Sequence, residues 1–536
     1  MNIGSKCFII EKQSYTFSEI ERGLFGTPNS SNNMTLFVSI TAVLFVVFLI
    51  CSYKFKLYNK LYNPKNLSHN ICIALTAGFC AVISFVIYHF LATGSFNYPY
   101  EYPLSNMNAY EQMFDALMKH QLNIDITPDP MLEKLNNPYD WDERSLYSFF
   151  YLWDRAYFGG KYYSYFGIAP ILLIYFPFYF LSGKVPSAQT VCLIFALISV
   201  FAIALLVVKT HKVFLKKVNL ALLILSILAT ETGSLIFMTQ ASADFYYIAV
   251  ASGITFLALF LLFSLCAYDA KKISEKCLYF SLSGLSLVFL VMSRPNLALY
   301  FIIAIPIYLS VIFSKKYKAS DKFKQVLSFA IPTAIGAAFV MWYNYARFGS
   351  IFEFGAKYQL TVYDVSKYTF NTALILPGLY YYFFQYPKFI SEFPYLDIPF
   401  YKFPTLNTYV YLTSTIGILS FPSVWGIACL PVSITSKNTD KTKKSILLLS
   451  VLSVFVMAIF DMCFAGVNIR YLADIALVAV LFTSVMLCDF FALFKTSSDT
   501  SKFVAHSVIS ILLVLSFLLG AYLIICNERN YLLNLL

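Results

Sequence analysis

Apolar runs of about twenty residues recur along almost the whole chain, separated by short lysine-bearing linkers and by two long polar stretches. A bilayer core about 30 Å thick takes about 20 apolar residues per helical crossing. The runs therefore predict an all-α polytopic membrane protein of about twelve transmembrane helices. They fall at residues 34–53, 71–92, 188–208, 219–239, 243–267, 278–295, 297–314, 326–345, 410–434, 445–466, 471–494 and 503–526. Each run is bounded by charge or turn residues.

The linkers 54–70, 209–218, 268–277, 315–325, 435–444 and 495–502 would alternate on one side of this arrangement, and they hold over half of the 39 basic residues. Every basic residue in them is a lysine. The positive-inside rule places them in the cytoplasm and the protein in the plasma membrane. Both termini and the two long stretches, 93–187 and 346–409, then face outward. The expected organisation is an outer N-terminal segment 1–33, a transmembrane module 34–345 carrying the loop 93–187, a second outer loop 346–409, and C-terminal helices 410–536. Within the loops, FGIAPILLIYFPFYFLSG is too short and too interrupted by proline to cross, and suits a helix lying in the headgroup layer. NTALILPGLYYYFFQYP has the same half-apolar, aromatic character.

Composition agrees: 59% of residues are hydrophobic and 12% charged, against about 25% charged in soluble domains. The net charge of +11 would point to nucleic acid in a soluble chain, but the linkers absorb it here, and no nucleic-acid partner is expected. The 11 cysteines lie mostly in apolar runs without a C-x-x-C spacing, so neither a disulfide framework nor a zinc site is indicated. The five histidines are scattered, and no metal site is expected from them. A P-loop or dinucleotide fingerprint is missing, which disfavours a nucleotide cofactor; a divalent cation stays open. The N-terminal stretch MNIGSKCFIIEKQSYTFSEIERG is polar and acidic for too long to be a signal peptide.

Candidate chemistry gathers outside. All seven arginines map there, and Arg294, Arg347 and Arg470 stand where spans meet the outer face. A guanidinium fork suits phosphate oxygens, so the three are candidate clamps for a lipid phosphate. The plain alternative is headgroup contact or an ion pair such as Arg470 with Asp474. Asp244 lies in a tight outer turn, as a site acid or as the N-cap of the next helix. Glu231 and Asp461 fall within spans, where acids are costly and pairing competes with function. The helix NAYEQMFDALMKHQLNID puts Tyr110, Phe114 and Leu117 on one face and stacks Glu111 with Asp115, a pair suited to general-base work or simply solvated. Asp154, Arg155 and Lys161 sit among aromatics that suit a sugar ring or an interfacial belt.

In layout the chain resembles the GT-C superfamily of polytopic glycosyltransferases. A span 71–92 leads into a long outer loop with a helix around Glu111 and an interfacial helix. The span 188–208 follows with its KTHKVFLKK tail, then a short turn bearing Asp244. NPYDWDERS, LWDRAYFGGKYYSYFG and RFGSIFEFGAKYQLT also resemble segments of bacterial GT-C-like proteins of unassigned substrate. The resemblance covers roughly residues 71–314. It implies transfer of a sugar from a polyprenyl-phosphate carrier to a glycan or lipid acceptor of the cell envelope. Asp244 and Asp154 would be catalytic acids, and Arg294, Arg347, Arg470, Lys161 and Asp115 substrate-binding residues. Where the family carries its first acid this chain has Asn106, which cannot act as a base. Either Glu111, one turn on, takes the role, or the protein is not catalytic in the usual way. A flippase or transporter of lipid-linked or anionic substrates, and a polysaccharide polymerase or ligase, are the competing readings.

Overall fold

The long apolar runs become helices because nothing inside them competes for backbone hydrogen bonds and the flanking polar residues cap them. The computed structural model describes residues 30–533, apart from 106–107, 363, 368–371, 391–395, 399–410, 413–414 and 437–438. Asn106 therefore lies outside the described residues. The helices used below are α1 (Ser30–Lys54), α2 (Leu67–Ala92), α3 (Ala109–Met118), α4 (Ala188–Phe214), α5 (Leu220–Ala241), α6 (Phe245–Asp269), α7 (Ile273–Ser293), α8 (Pro295–Ile312), α9 (Ala319–Phe348), α10 (Lys441–Phe464), α11 (Ile469–Thr496) and α12 (Asp499–Ile525). Among the described residues ten of them, α2 and α4 to α12, are long and apolar enough to cross a membrane, and α1 contributes the shorter apolar stretch Ala42–Lys54. The protein is thus an all-α, multi-pass membrane protein.

Polar caps fix many of the boundaries. Asn66, Ser187, Asn219, Asp244, Asp440 and Asn468 each accept a backbone N–H at the start of α2, α4, α5, α6, α10 and α11. The helices run past the predicted spans at their lysine-rich ends: α4 continues to Phe214 and α9 begins at Ala319. Most of the 209–218 linker is therefore helix. The predicted first span, 34–53, falls within α1, of which Ala42–Lys54 is the apolar part among the described residues.

The predicted span 410–434 is corrected. Its described part opens with the two-residue strand Tyr411–Leu412, paired with Gly466–Val467, and goes on to two 3-10 segments, Ile418–Ser420 and Pro422–Cys429, and a six-residue α-helix, Leu430–Thr435. Pro422 and Pro431 remove backbone donors. Gly426 lets the 3-10 segment lie directly on the Thr483 carbonyl of α11, where a Cβ would stand 2.6 Å from that oxygen.

α6 and α11 form the centre of the bundle and α9 its edge. Within their most apolar windows 89% of α6 is buried, against 11% of α9. α6 packs on α4 and α7, α7 on α9, and α5 on α12. At one end the lysine-bearing linkers meet, through Lys209–Asp269, Tyr268–Asp440 and Lys56–Asp499. At the other, residues 93–187 and the start of 346–409 cover the helices as one layer. Arg144 is buried between them, donating to the carbonyls of Pro138 and Thr361, while Asn137 donates to Asp364 at 2.7 Å. FGIAPILLIYFPFYFLSG forms the short apolar helix Ile171–Ser182, closed by Gly183 and presenting Phe180 and Leu181 outward.

Candidate functional site

The turn between α5 and α6, the first turn of α11 and the strand-turn around Asp154 come together under the covering layer. Asp244 caps α6: its Oδ1 accepts the N–H groups of Tyr246 and Tyr247 at 2.7 and 3.1 Å. A cap of this kind stabilises by about 1 kcal/mol and holds the carboxyl in one orientation. Among the described residues Oδ2 takes no hydrogen bond. Burial pushes the Asp244 pKa up to about 6, against the pull of the two amides and of Arg470.

Tyr246 joins the other parts. Its hydroxyl donates to Asp154 Oδ2, and its ring lies 4.8 Å from the Arg470 guanidinium. Arg470 also sits over Tyr471, 5.3 Å from that ring, with Nη2 3.5 Å from the Tyr471 hydroxyl. The ion pair with Asp474 that the i,i+4 spacing suggested does not form. Asp474 Oδ2 instead accepts from Arg294 Nη2 at 2.5 Å and from Asn296 Nδ2 at 2.8 Å. Asn296 also reaches Asp461 Oδ1 at 3.2 Å, and Tyr300 donates to the Asp474 carbonyl at 2.7 Å. Arg294 is thus neutralised inside a buried network, while Arg470 has no ion pair among the described residues.

Asp154 is placed by strain and by strand-like pairing. Its φ of 52° is left-handed, which costs a non-glycine residue roughly 1–2 kcal/mol. The conformation is held because Asp154 N donates to the Leu360 carbonyl and Leu360 N to that of Arg155, both at 3.0 Å. Arg155 is buried, its Nε donating to Gln112 of α3 at 2.8 Å and its guanidinium 5.3 Å from the Phe245 ring. Gly167 lets the covering layer seat on α7, because a Cβ there would run into the carbonyl oxygens of Met292 and Ser293, next to Arg294.

The remaining predicted residues lie apart from this cluster. Glu111, at the third position of α3, is fully buried and accepts from Tyr102, Ser105 at 3.0 Å and Asn108. With Asn108 as N-cap this is a capping-box arrangement that uses the carboxylate structurally. Asp115 pairs with Lys119 at 2.8 Å, and Lys161 is exposed on the short hairpin of 156–158 with 161–163. Arg347 is buried, donating to Ser164 O at 2.7 Å and Asn344 Oδ1 at 2.9 Å, with its guanidinium 3.7 Å from the Tyr343 ring. Three residues that matter to the cluster escaped the sequence reading: Tyr246, Tyr471 and Asn296. The first two were visible only as neighbours of Asp244 and Arg470 in aromatic-rich turns.

Chemically, the cluster offers a carboxylate with a free oxygen, a second carboxylate held by a tyrosine, and an unpaired guanidinium on aromatic faces. Asp154 and Asp244 are the residues there that could contact a cation. Among the described residues no three His, Cys, Asp or Glu side chains stand close enough to hold a metal ion. No protein family matches the chain, and no curated protein matches its sequence.

Proposed function

We propose that the chain is a membrane glycosyltransferase of the GT-C type. It would move a sugar from a polyprenyl-phosphate carrier to a cell-envelope glycan or lipid acceptor on the outer face of the plasma membrane. The observation that carries this reading is the unpaired Arg470 beside Asp244, whose Oδ2 is free and whose pKa is raised to about 6. A base with that pKa is ionised at neutral pH yet stronger than an ordinary aspartate. In the proposed step the acceptor O–H gives its proton to Asp244, and its oxygen forms a bond to the anomeric carbon. The bond from that carbon to the carrier phosphate breaks, and the bond's electron pair leaves with the phosphate. Arg470 balances the charge of that leaving phosphate, in the planar geometry guanidinium favours. Asp154, fixed by Tyr246, would bond sugar hydroxyls.

The reading is tested with the full chain in nanodiscs, offered a panel of radiolabelled polyprenyl-phosphate sugars with an envelope-lipid extract as acceptor. Sugar transfer by the native chain, lowered about 10²-fold or more in Asp244→Asn, supports it. Transfer with none of the donors, or transfer untouched by Asp244→Asn, overturns it.

A second reading, a flippase or transporter of lipid-linked or anionic substrates, draws on the buried acids of the spans. Glu231 is wholly buried in α5, and Asp461 Oδ2 in α10 is buried without a partner. Translocation of a labelled lipid phosphate by the chain in sealed proteoliposomes, without sugar transfer, would favour it.

A further inference from the structure

At the opposite end of the bundle, four lysine-bearing linkers surround a polar cavity of about 380 Å³. Its wall includes Lys271, Lys276, Lys316 and Lys443, with Tyr268 and Tyr317 between them. Charge in such linkers ordinarily serves topology alone, each lysine reaching separately into water. Here the side chains converge instead. Lys276 is buried, its ammonium donating to the carbonyls of Ala267 and Tyr268 at 2.7 and 3.1 Å. Those acceptors are neutral, so the full charge is left standing in the cavity wall. Lys276 and Lys316 approach the same Tyr317 ring, at 5.9 and 5.7 Å, so two like charges share one aromatic ring.

Of the two acids of the wall, one is ion-paired. Asp269 pairs with Lys209 at 2.6 Å, whereas Asp440 accepts only from neutral donors, the Tyr268 hydroxyl at 2.7 Å and the N–H of Lys443 at 3.0 Å, so its carboxylate offsets one of the four lysines. Among the described residues none of the four cavity lysines has an ion pair. A concave site with four lysines against one uncompensated carboxylate keeps an excess of positive charge, which favours a compact anion with several acceptor oxygens.

We infer that this cavity binds a phosphoryl group, from an anionic phospholipid headgroup or from a soluble phosphate compound. Basic pockets between helix ends are a recognised place for such headgroups. The site is independent of the Asp244–Arg470 cluster and of any activity assigned to it.

The test uses the full chain in nanodiscs of neutral phosphatidylcholine, titrated with inorganic pyrophosphate in one arm and given increasing phosphatidylglycerol in the other, with lipid retention read by native mass spectrometry. Saturable binding in either arm is expected, and the arm identifies the source. It should weaken tenfold or more in Lys316→Gln and Lys443→Gln, both outside the buried core, and persist in Lys324→Gln, an exposed lysine of the same linker as Lys316 that does not line the cavity. No saturable binding in either arm, or equal weakening in Lys324→Gln, overturns the inference.

Discussion

Arg294 donates to Asp474 at 2.5 Å across 180 residues of sequence, and that pairing leaves Arg470, one turn before Asp474 on α11, without an acid. One guanidinium is thereby committed to holding the helices together and another is left for an anion. Asp474 is 1% exposed, so removing it strands a buried positive charge. Asp474→Ala should lower stability by roughly 3–5 kcal/mol, whereas the apolar pair Arg294→Met with Asp474→Leu should cost much less. Thermal unfolding in detergent separates the two, and equal losses would show that the pair does not act as a unit.

Asp244 makes a pH prediction with a definite sign. Its folded pKa of about 6 lies above the ordinary value of 3.8, so its contribution to stability is fully present below about pH 4 and is lost as pH rises through 6. Asn keeps the helix cap without the charge. Asp244→Asn should therefore match the native protein near pH 4 and become more stable than it above pH 6, by on the order of 1–3 kcal/mol. Denaturation midpoints across pH 4–7.5 check this. Parallel curves would mean that Asp244 is not held in a buried setting.

Gly167 fixes how closely the covering layer sits on the bundle. In Gly167→Ala the new methyl meets the Met292 and Ser293 carbonyls, so the layer must lift beside Arg294. Overpacking of this kind costs about 1–3 kcal/mol. Hydrogen exchange should rise in residues 154–168 while the centres of α6 and α11 stay protected.

Glu111 and Asp244 should part company in any activity assay. Glu111→Gln keeps the shape of the capping box and should leave the rate within a few-fold of native, while Glu111→Ala should lower stability by about 1 kcal/mol or more. A rate loss in Glu111→Gln as large as that in Asp244→Asn would return Glu111 to the chemistry.

What the sequence made legible follows from which forces are local. Hydrophobic runs and lysine linkers report the bilayer directly, and ten long helices fall where runs were predicted. The 410–434 run misled because apolar content measures partition and not regularity: Pro422, Gly426 and Pro431 turn it into 3-10 and short helical pieces. Asp244 as a helix cap was readable from its place before an apolar run. The hydrogen bonds of Glu111 were not legible because its partners Tyr102 and Ser105 lie outside its own helix, in the segment ahead of α3. Arg470 looked paired with Asp474 by helical spacing, and only tertiary packing reveals that Arg294 takes that acid. The Asp154–Tyr246 link joins residues 92 apart, beyond any local pattern.

The most direct test of the account is binding of polyprenyl phosphate itself to the full chain in neutral nanodiscs, comparing Arg470→Ala and Arg347→Ala with the native protein. Arg470 is the unpaired guanidinium beside Asp244, and Arg347 is engaged by Ser164 and Asn344. Arg470→Ala is expected to weaken binding at least tenfold, and Arg347→Ala, where it folds, to leave the affinity of the folded fraction unchanged. Native affinity in Arg470→Ala would contradict it.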